Sequence, residues 1–147
     1  MPSPGPAPTF GPRRLTLGVA AACVIAAGLA ARFLLHGGFA DAAGGVLYTV
    51  LVYLLVGLLR PGWRPVRLAA IALAISCAVE LLQLTGLPGA LSAIVPPMRL
   101  VLGTTFSLTD PPAYVVGALL ALAVDCLLRC GTRHPRPSRH DIPARSR

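Results

Sequence analysis

Charged residues are scarce in this 147-residue sequence, of which they make up 12%. Lysine is absent, and the thirteen residues that lysine and arginine contribute together are all arginine. A water-soluble domain carries about 25% charged residues. Hydrophobic residues make up 55% of the chain, and the mean hydropathy is +0.73. This composition excludes an ordinary water-soluble domain and predicts a protein surrounded by lipid.

Signatures of catalysis and of metal binding are also missing. Ser76 and Ser107 have no histidine in the apolar stretches that would act as a base. No paired carboxylate motif and no glycine-rich phosphate loop occurs. The four cysteines lie in or at the edge of apolar stretches: Cys23, Cys77, Cys126 and Cys130. No second cysteine pair and no histidine lies at the spacing of a zinc site. We therefore expect no enzymatic activity, no cofactor and no metal site.

The basic charge of the chain has two interpretations. A net charge of +8 and a pI near 10.7 would indicate a nucleic-acid partner in a soluble protein. Here most arginines lie in the two termini and in one short connector between apolar stretches, without interleaved aromatic residues. This distribution is typical of the positive-inside rule, so we expect no nucleic-acid partner.

Four apolar stretches are long enough to cross a bilayer, which requires about 20 residues. They cover residues 15–35, 39–59, 68–87 and 110–128. Residues 85–109 are also apolar but are interrupted by proline and glycine, so a re-entrant or interfacial segment fits best there. The predicted fold class is therefore all-α: a polytopic membrane protein with four transmembrane helices.

The flanking segments complete the predicted domain organisation. Residues 1–14 form a disordered lead-in, with five prolines before Arg13. Residues 15–128 form the transmembrane domain, and residues 129–147 form a disordered basic tail. A cleaved signal peptide is the rival interpretation of the first stretch, because Arg13 and Arg14 would form its basic region. The apolar run is too long for that, and we expect an uncleaved helix.

Arginine counting predicts the orientation of the four helices. Only Arg32 and Arg99 fall towards one side of the membrane. Eleven arginines fall on the other side: Arg13, Arg14, Arg60, Arg64, Arg67, Arg129, Arg133, Arg136, Arg139, Arg145 and Arg147. We therefore expect a protein of the cell membrane with both termini in the cytoplasm.

Polar residues in the outer half of the predicted bundle form the candidate site. Glu80 and Gln83 share one helix face, on which Ser76 lies one turn earlier. A carboxylate inside the membrane costs a few kcal/mol on insertion scales, so it should face a partner or a wet cavity. Further charged and aromatic residues are predicted at a similar depth. We define the outer cluster as Glu80, Gln83, Arg99, Asp110, Tyr114, Arg32 and Asp41.

Other interpretations of these residues remain open. The outer cluster is either a ligand site or a structural ion-pair cluster that holds the helices in register, with Glu80 ionised and paired with one of the two arginines. Asp110 precedes two prolines and also fits a helix cap. Asp125, one turn before Arg129, is expected to form a local surface pair and not a site.

Two sequence motifs carry a family resemblance. The first is Val-Glu-Leu-Leu-Gln-Leu at residues 79–84, and the second is Arg-Leu-Val-Leu-Gly-Thr-Thr-Phe-Ser-Leu-Thr-Asp at residues 99–110, followed by Tyr114 and Gly117. With these motifs, residues 28–125 resemble the domain-of-unknown-function 2809 family of small bacterial inner-membrane proteins. The motif order is also loosely similar to that of the VanZ-like proteins linked to glycopeptide (teicoplanin) resistance.

The resemblance implies site positions but no activity. It assigns the family's motif positions to Glu80, Gln83, Arg99, Asp110 and Tyr114. One position departs from the family, which has a Gly-Asp pair where this chain has glycines at 44 and 45. Either the aspartate at position 41 replaces that carboxylate or the site is weakened.

Three functions remain open at this stage. The leading hypothesis is a binding module whose outer cluster holds the head group of a membrane lipid or cell-envelope amphiphile. The second is a small transporter or channel subunit in which Glu80 moves a proton or cation. The third is a structural or scaffolding membrane protein. A membrane lipid is the expected partner, and a homo-oligomer is left open.

The orientation predicts the accessibility of Cys130, which follows the fourth apolar stretch on the arginine-rich side. A membrane-impermeant thiol reagent applied to intact cells should leave Cys130 unlabelled and should label it after lysis. Ready labelling before lysis would show that arginine counting gives the wrong orientation.

Overall fold

The computed structural model of the protein describes residues 11–34, 37–95 and 110–131. Helices account for the regular secondary structure of these residues. They are α1 (Pro12–Leu34), α2 (Gly38–Leu59), α3 (Pro65–Gln83), α4 (Leu87–Ile94) and α5 (Asp110–Gly131). Helices α1, α2, α3 and α5 are long and apolar enough to cross a membrane. The prediction of an all-α, multi-pass membrane protein is confirmed.

The helix ends differ from the apolar stretches that predicted them. The prediction that the third span continues to residue 87 is wrong, because α3 ends at Gln83 and a turn follows. Helix α1 begins at Pro12 and α3 at Pro65, each a few residues before its apolar stretch. Proline is well tolerated at the first helical position, where its missing N–H has no intrahelical partner. Helix α5 continues to Gly131, past residue 128. Apolarity marks the part of a helix that lies in hydrocarbon, whereas the helix itself continues into the polar interface.

The connection from α3 to α5 begins with a turn. Gly86, with φ of +73°, adopts a left-handed conformation that favours glycine, and its carbonyl accepts a hydrogen bond from the Ala90 N–H at 3.2 Å. Helix α4 follows with 8 residues, about 12 Å of rise, which is too short to cross a bilayer. Residues 96–109 lie outside the described part of the chain, so the re-entrant segment remains a prediction. The same holds for the disordered segments, whose residues 1–10 and 132–147 are not described.

Helix α2 lies at the centre of the bundle. It packs against α1, α3 and α5, and α3 also packs against α5. Helices α2, α3 and α5 thus enclose a common interface, whereas the packing contacts of α1 are mainly with α2. The core of that interface consists of Val52, Tyr53, Leu68, Ala69, Ala72 and Ala121. Its three alanines let the helix backbones approach one another, as is typical of helix pairs in membranes.

Glycines set the distance between α2 and α5. A Cβ atom at Gly117 would lie 2.6 Å from the carbonyl oxygen of Val46 and 3.0 Å from the Cβ of Thr49. A Cβ atom at Gly45 would lie 3.0 Å from the Cβ of Ala113. Only residues without a side chain fit this crossing, so the two helices pack backbone against backbone.

This contact predicts unequal effects of two glycine substitutions. Gly117→Ala should lower the free energy of unfolding in detergent by about 1–3 kcal/mol, because the new methyl group forces α5 away from α2. Gly44→Ala is the matched control, since nothing lies within 4 Å of a Cβ there. Reversible thermal unfolding followed by circular dichroism measures both. Equal stability of the two variants would contradict the close crossing.

Candidate functional site

Glu80 occupies the last turn of α3 and points into the interface with α5. Its side chain is buried, with 3% exposure, and Tyr114 is 5% exposed. The Tyr114 hydroxyl donates a hydrogen bond to Glu80 Oε2 at 2.6 Å. This distance is typical of a hydroxyl that donates to a carboxylate. Two members of the outer cluster, 34 residues apart in sequence, are therefore in direct contact.

The Tyr114 ring is held by α2. It lies 6.4 Å from the Tyr48 ring, centroid to centroid, with the planes tilted by 55°. This arrangement is favourable for aromatic pairs. A Cβ atom at Gly45 would lie 3.3 Å from Tyr114 Cε1. Position 45 is the one at which the resemblance implies an aspartate, and in this chain the tyrosine ring and Ala113 occupy the adjacent space.

Gln83 and Asp110 lie at the same end of the bundle. Gln83 follows Glu80 by one turn on α3, and Asp110 begins α5 one turn before Tyr114. The Gln83 Oε1 and Asp110 Oδ1 atoms are buried. Asp110 also lies where the positive end of the helix dipole favours an acidic side chain. Four of the seven members of the outer cluster thus share one end of α3 and α5, and Asp110 retains its second interpretation as a helix terminus.

The remaining members of the outer cluster are not joined to these four by any described contact. Asp41 lies in the first turn of α2, and its side chain is exposed. Arg32 belongs to α1, but its side chain lies outside the described residues, as does the whole of Arg99. Pairing of Glu80 with an arginine therefore stays a prediction, and so does the replacement of the family carboxylate by Asp41.

A pair of hydroxyl groups lies one turn below Glu80. Thr49 of α2 and Ser76 of α3 are both fully buried, and their Oγ atoms are 3.1 Å apart. Thr49 Oγ1 also hydrogen-bonds the carbonyl oxygen of Gly45 at 3.2 Å. The helical spacing predicts that Ser76 lies on the face of Glu80, whereas Thr49 was not predicted at this site. The pattern that could have revealed Thr49 is a four-residue period along α2. Residues at this period lie on the buried face of α2: Gly45, Thr49, Tyr53 and Gly57.

Asp125 forms a second polar centre at the opposite end of the bundle. It accepts hydrogen bonds from the Tyr53 hydroxyl at 2.6 Å, from Arg13 Nη2 at 3.1 Å and from Arg129 Nη2 at 2.9 Å. We call these four residues the inner cluster. The expected pair of Asp125 with Arg129 is present. Its description as a local surface pair is wrong, because the Asp125 side chain is 13% exposed and also joins α1 and α2 to α5.

The inner cluster is continuous with the connector between α2 and α3. Arg129 Nη2 donates to the carbonyl oxygen of Trp63 at 2.9 Å. The guanidinium of Arg67 lies 4.1 Å from the centre of the Trp63 ring, within the range of a cation–π contact. The sequence shows an arginine-rich connector between two apolar stretches. That Arg129 holds it depends on the helix packing, which brings the end of α5 beside the start of α3.

Comparisons with known proteins give one match. The model of a family described as "Protein of unknown function (DUF2809)" matches residues 34–118, more than half of the chain. This range includes Asp41, Glu80, Gln83, Asp110 and Tyr114 of the outer cluster, whereas Arg13, Asp125 and Arg129 of the inner cluster fall outside it. No curated protein and no solved structure matches the chain. The looser resemblance to VanZ-like proteins is not borne out.

The contact between Tyr114 and Glu80 predicts a loss of stability on removal of one oxygen atom. Tyr114→Phe should lower the free energy of unfolding by about 1–3 kcal/mol, because a buried carboxylate loses a hydrogen-bond donor. Tyr48→Phe is the control: it keeps a ring in the same aromatic pair, and the Tyr48 hydroxyl has no hydrogen bond among the described residues. Its effect should stay within about 0.5 kcal/mol. Equal effects in detergent unfolding would contradict a stabilising role for the Tyr114 hydroxyl.

Proposed function

We propose that this chain, which belongs to the DUF2809 family of proteins of unknown function, binds the head group of a membrane lipid or cell-envelope amphiphile at the outer cluster. The observation that carries the proposal is the Glu80 carboxylate, buried between α3 and α5 and in contact with the Tyr114 hydroxyl. Keeping a carboxylate at such a depth costs a few kcal/mol. A ligand that donates hydrogen bonds to the carboxylate would offset part of this cost.

The depth of Glu80 suits a head-group site. Helix α3 begins at Pro65, beside the arginine-rich connector, and Glu80 lies roughly 22 Å further along the helix axis at helical rise. With the connector and both termini in the cytoplasm, as the arginine distribution favours, Glu80 lies in the outer half of the hydrocarbon layer. Gln83 and Asp110, both partly exposed, lie between Glu80 and the outer surface. The outer leaflet of the cell membrane is thus the proposed source of the ligand.

The chemistry of the described residues narrows the class of ligand. Glu80 and Asp110 supply carboxylate oxygens, and Gln83 supplies a carboxamide. Ionised carboxylates only accept hydrogen bonds, and each oxygen accepts more than one. A head group rich in donors, such as hydroxyl or ammonium groups, complements these oxygens, and the low dielectric around them strengthens each hydrogen bond.

We propose a binding site and not a catalytic centre. The hydroxyl nearest to Glu80 along α3 is that of Ser76, which pairs with the hydroxyl of Thr49. A serine nucleophile requires an adjacent base. Residues 11–34, 37–95 and 110–131 contain no histidine to fill that role. These observations favour recognition over bond cleavage.

Native mass spectrometry of the full chain in mild detergent tests the proposal. The wild type should retain a bound amphiphile, and Glu80→Gln should retain at least about tenfold less, the effect of losing a charge-assisted hydrogen bond. Asp125→Asn is a matched control, since Asp125 accepts a hydrogen bond from a tyrosine at the same 2.6 Å distance but at the opposite end of the bundle. A wild type without bound amphiphile, or equal loss from both variants, would contradict the proposal.

The order of the polar pairs along the bundle axis supports a second candidate function. Glu80–Tyr114, Thr49–Ser76 and Tyr53–Asp125 lie at successive depths along the interface of α2, α3 and α5. Neighbouring levels on one helix are four residues apart, about 6 Å of rise. Such a series fits a small transporter or channel subunit that moves a proton or cation. It also fits a structural protein whose helices are joined by hydrogen bonds. Proton flux in liposomes that depends on Glu80 would favour transport over both other functions.

A further inference from the structure

An apolar groove lies on the membrane-facing surface between α1 and the end of α2. It has a volume of about 560 Å³, and its lining includes Gly18, Ala22, Leu58 and Leu59. The groove exists because Gly18 and Ala22, four residues apart on one face of α1, have little or no side chain. Nothing lies within 4 Å of a Cβ atom at Gly18.

Arg14 lines the same groove at its arginine-rich end. It precedes Gly18 by one turn and Ala22 by two, so the three positions form a row about 12 Å long at helical rise. Leu17 lies near the Arg14 end of this row. Its side chain is 3.4 Å from the position that a Cβ atom at Gly57 of α2 would occupy, so this end of the row lies beside the end of α2. The groove is therefore apolar along its length and carries a guanidinium at one end.

No carboxylate in the part of the chain that the structure describes pairs with Arg14 at this end. The neighbouring Arg13 pairs with Asp125, but the side chain of Arg14 is exposed and forms no hydrogen bond or ion pair with any residue the structure describes. Arg60, which follows the groove residue Leu59, donates only to a backbone carbonyl and lies beside the Trp63 ring. An anionic group is the complement of such an end, and a guanidinium binds phosphate oxygens in pairs.

We propose that this groove binds an anionic phospholipid of the inner leaflet, with an acyl chain along Gly18 and Ala22 and the phosphate at Arg14. An anionic head group near the cytoplasmic surface gains about 1 kcal/mol per arginine, which a zwitterionic head group does not gain to the same extent. The site is separate from the outer cluster in position and in its described charges: Glu80 and Asp110 contribute carboxylates to the outer cluster, whereas Arg14 lines the groove.

The test is a competition between phosphatidylglycerol and phosphatidylcholine with identical acyl chains, added in equal amounts to the full chain in mild detergent. Native mass spectrometry counts each bound lipid. The wild type should prefer phosphatidylglycerol, and Arg14→Gln should reduce this preference about fivefold. Arg64→Gln, which removes an exposed arginine outside the groove, should leave it unchanged. Glu80→Gln should also leave it unchanged, which separates this result from the test of the outer cluster.

A second pair of variants tests the groove itself. Gly18→Leu fills the groove and should reduce binding of both lipids, whereas Gly28→Leu on the same helix, also with open space around it, should not. Equal binding of the two lipids by the wild type would overturn the proposal, and so would an equal loss of preference in Arg14→Gln and Arg64→Gln. A lipid-free dimer that Gly18→Leu converts to a monomer would also overturn it, because a second copy of the chain would then occupy the groove.

Discussion

The close crossing of α2 and α5 positions the Tyr114–Glu80 and Thr49–Ser76 contacts at the common interface of α2, α3 and α5. Because Gly117 has no side chain, α5 rests against the backbone of α2 at Val46. The same crossing places Tyr114 over Gly45, from where its hydroxyl reaches Glu80 on α3. One turn further along α2, the Thr49 hydroxyl meets Ser76. A larger residue at Gly117 would meet the Val46 carbonyl oxygen and move α5 away from α2, which would lengthen these short hydrogen bonds.

The same pair of groups, a tyrosine hydroxyl and a carboxylate, occurs at both ends of the bundle. A tyrosine hydroxyl donates to a carboxylate at 2.6 Å at each end, Tyr114 to Glu80 and Tyr53 to Asp125. Asp125 is also neutralised by Arg13 and Arg129. In the two proposals, the carboxylates of the outer cluster bind a donor-rich head group, and Arg14 at the arginine-rich end binds phosphate.

The family match covers the outer and inner clusters to different extents. Residues 34–118 include the described part of the outer cluster and Gly117, so the glycine contact and the Glu80–Tyr114 pair belong to the segment that the family shares. Most of the inner cluster and the whole of the α1 face of the groove lie outside it. The matched segment thus contains the Glu80–Tyr114 pair together with Tyr53 and the connector, whereas Arg13, Asp125 and Arg129 belong to the flanking parts of this chain.

Sequence alone determined the four spans and the residues of the outer cluster that carry the family motif. Spans can be read directly, because an apolar run must be long enough to cover the hydrocarbon layer. The tertiary structure decided which polar residues meet. Glu80 and Tyr114 are 34 residues apart, and Tyr53 and Asp125 are 72 apart, so no local period relates them. The i, i+4 spacing predicts only the ion pair of Asp125 with Arg129, so the sequence indicated a local surface pair. The contacts of Asp125 with Arg13 and Tyr53 depend on the packing of three helices.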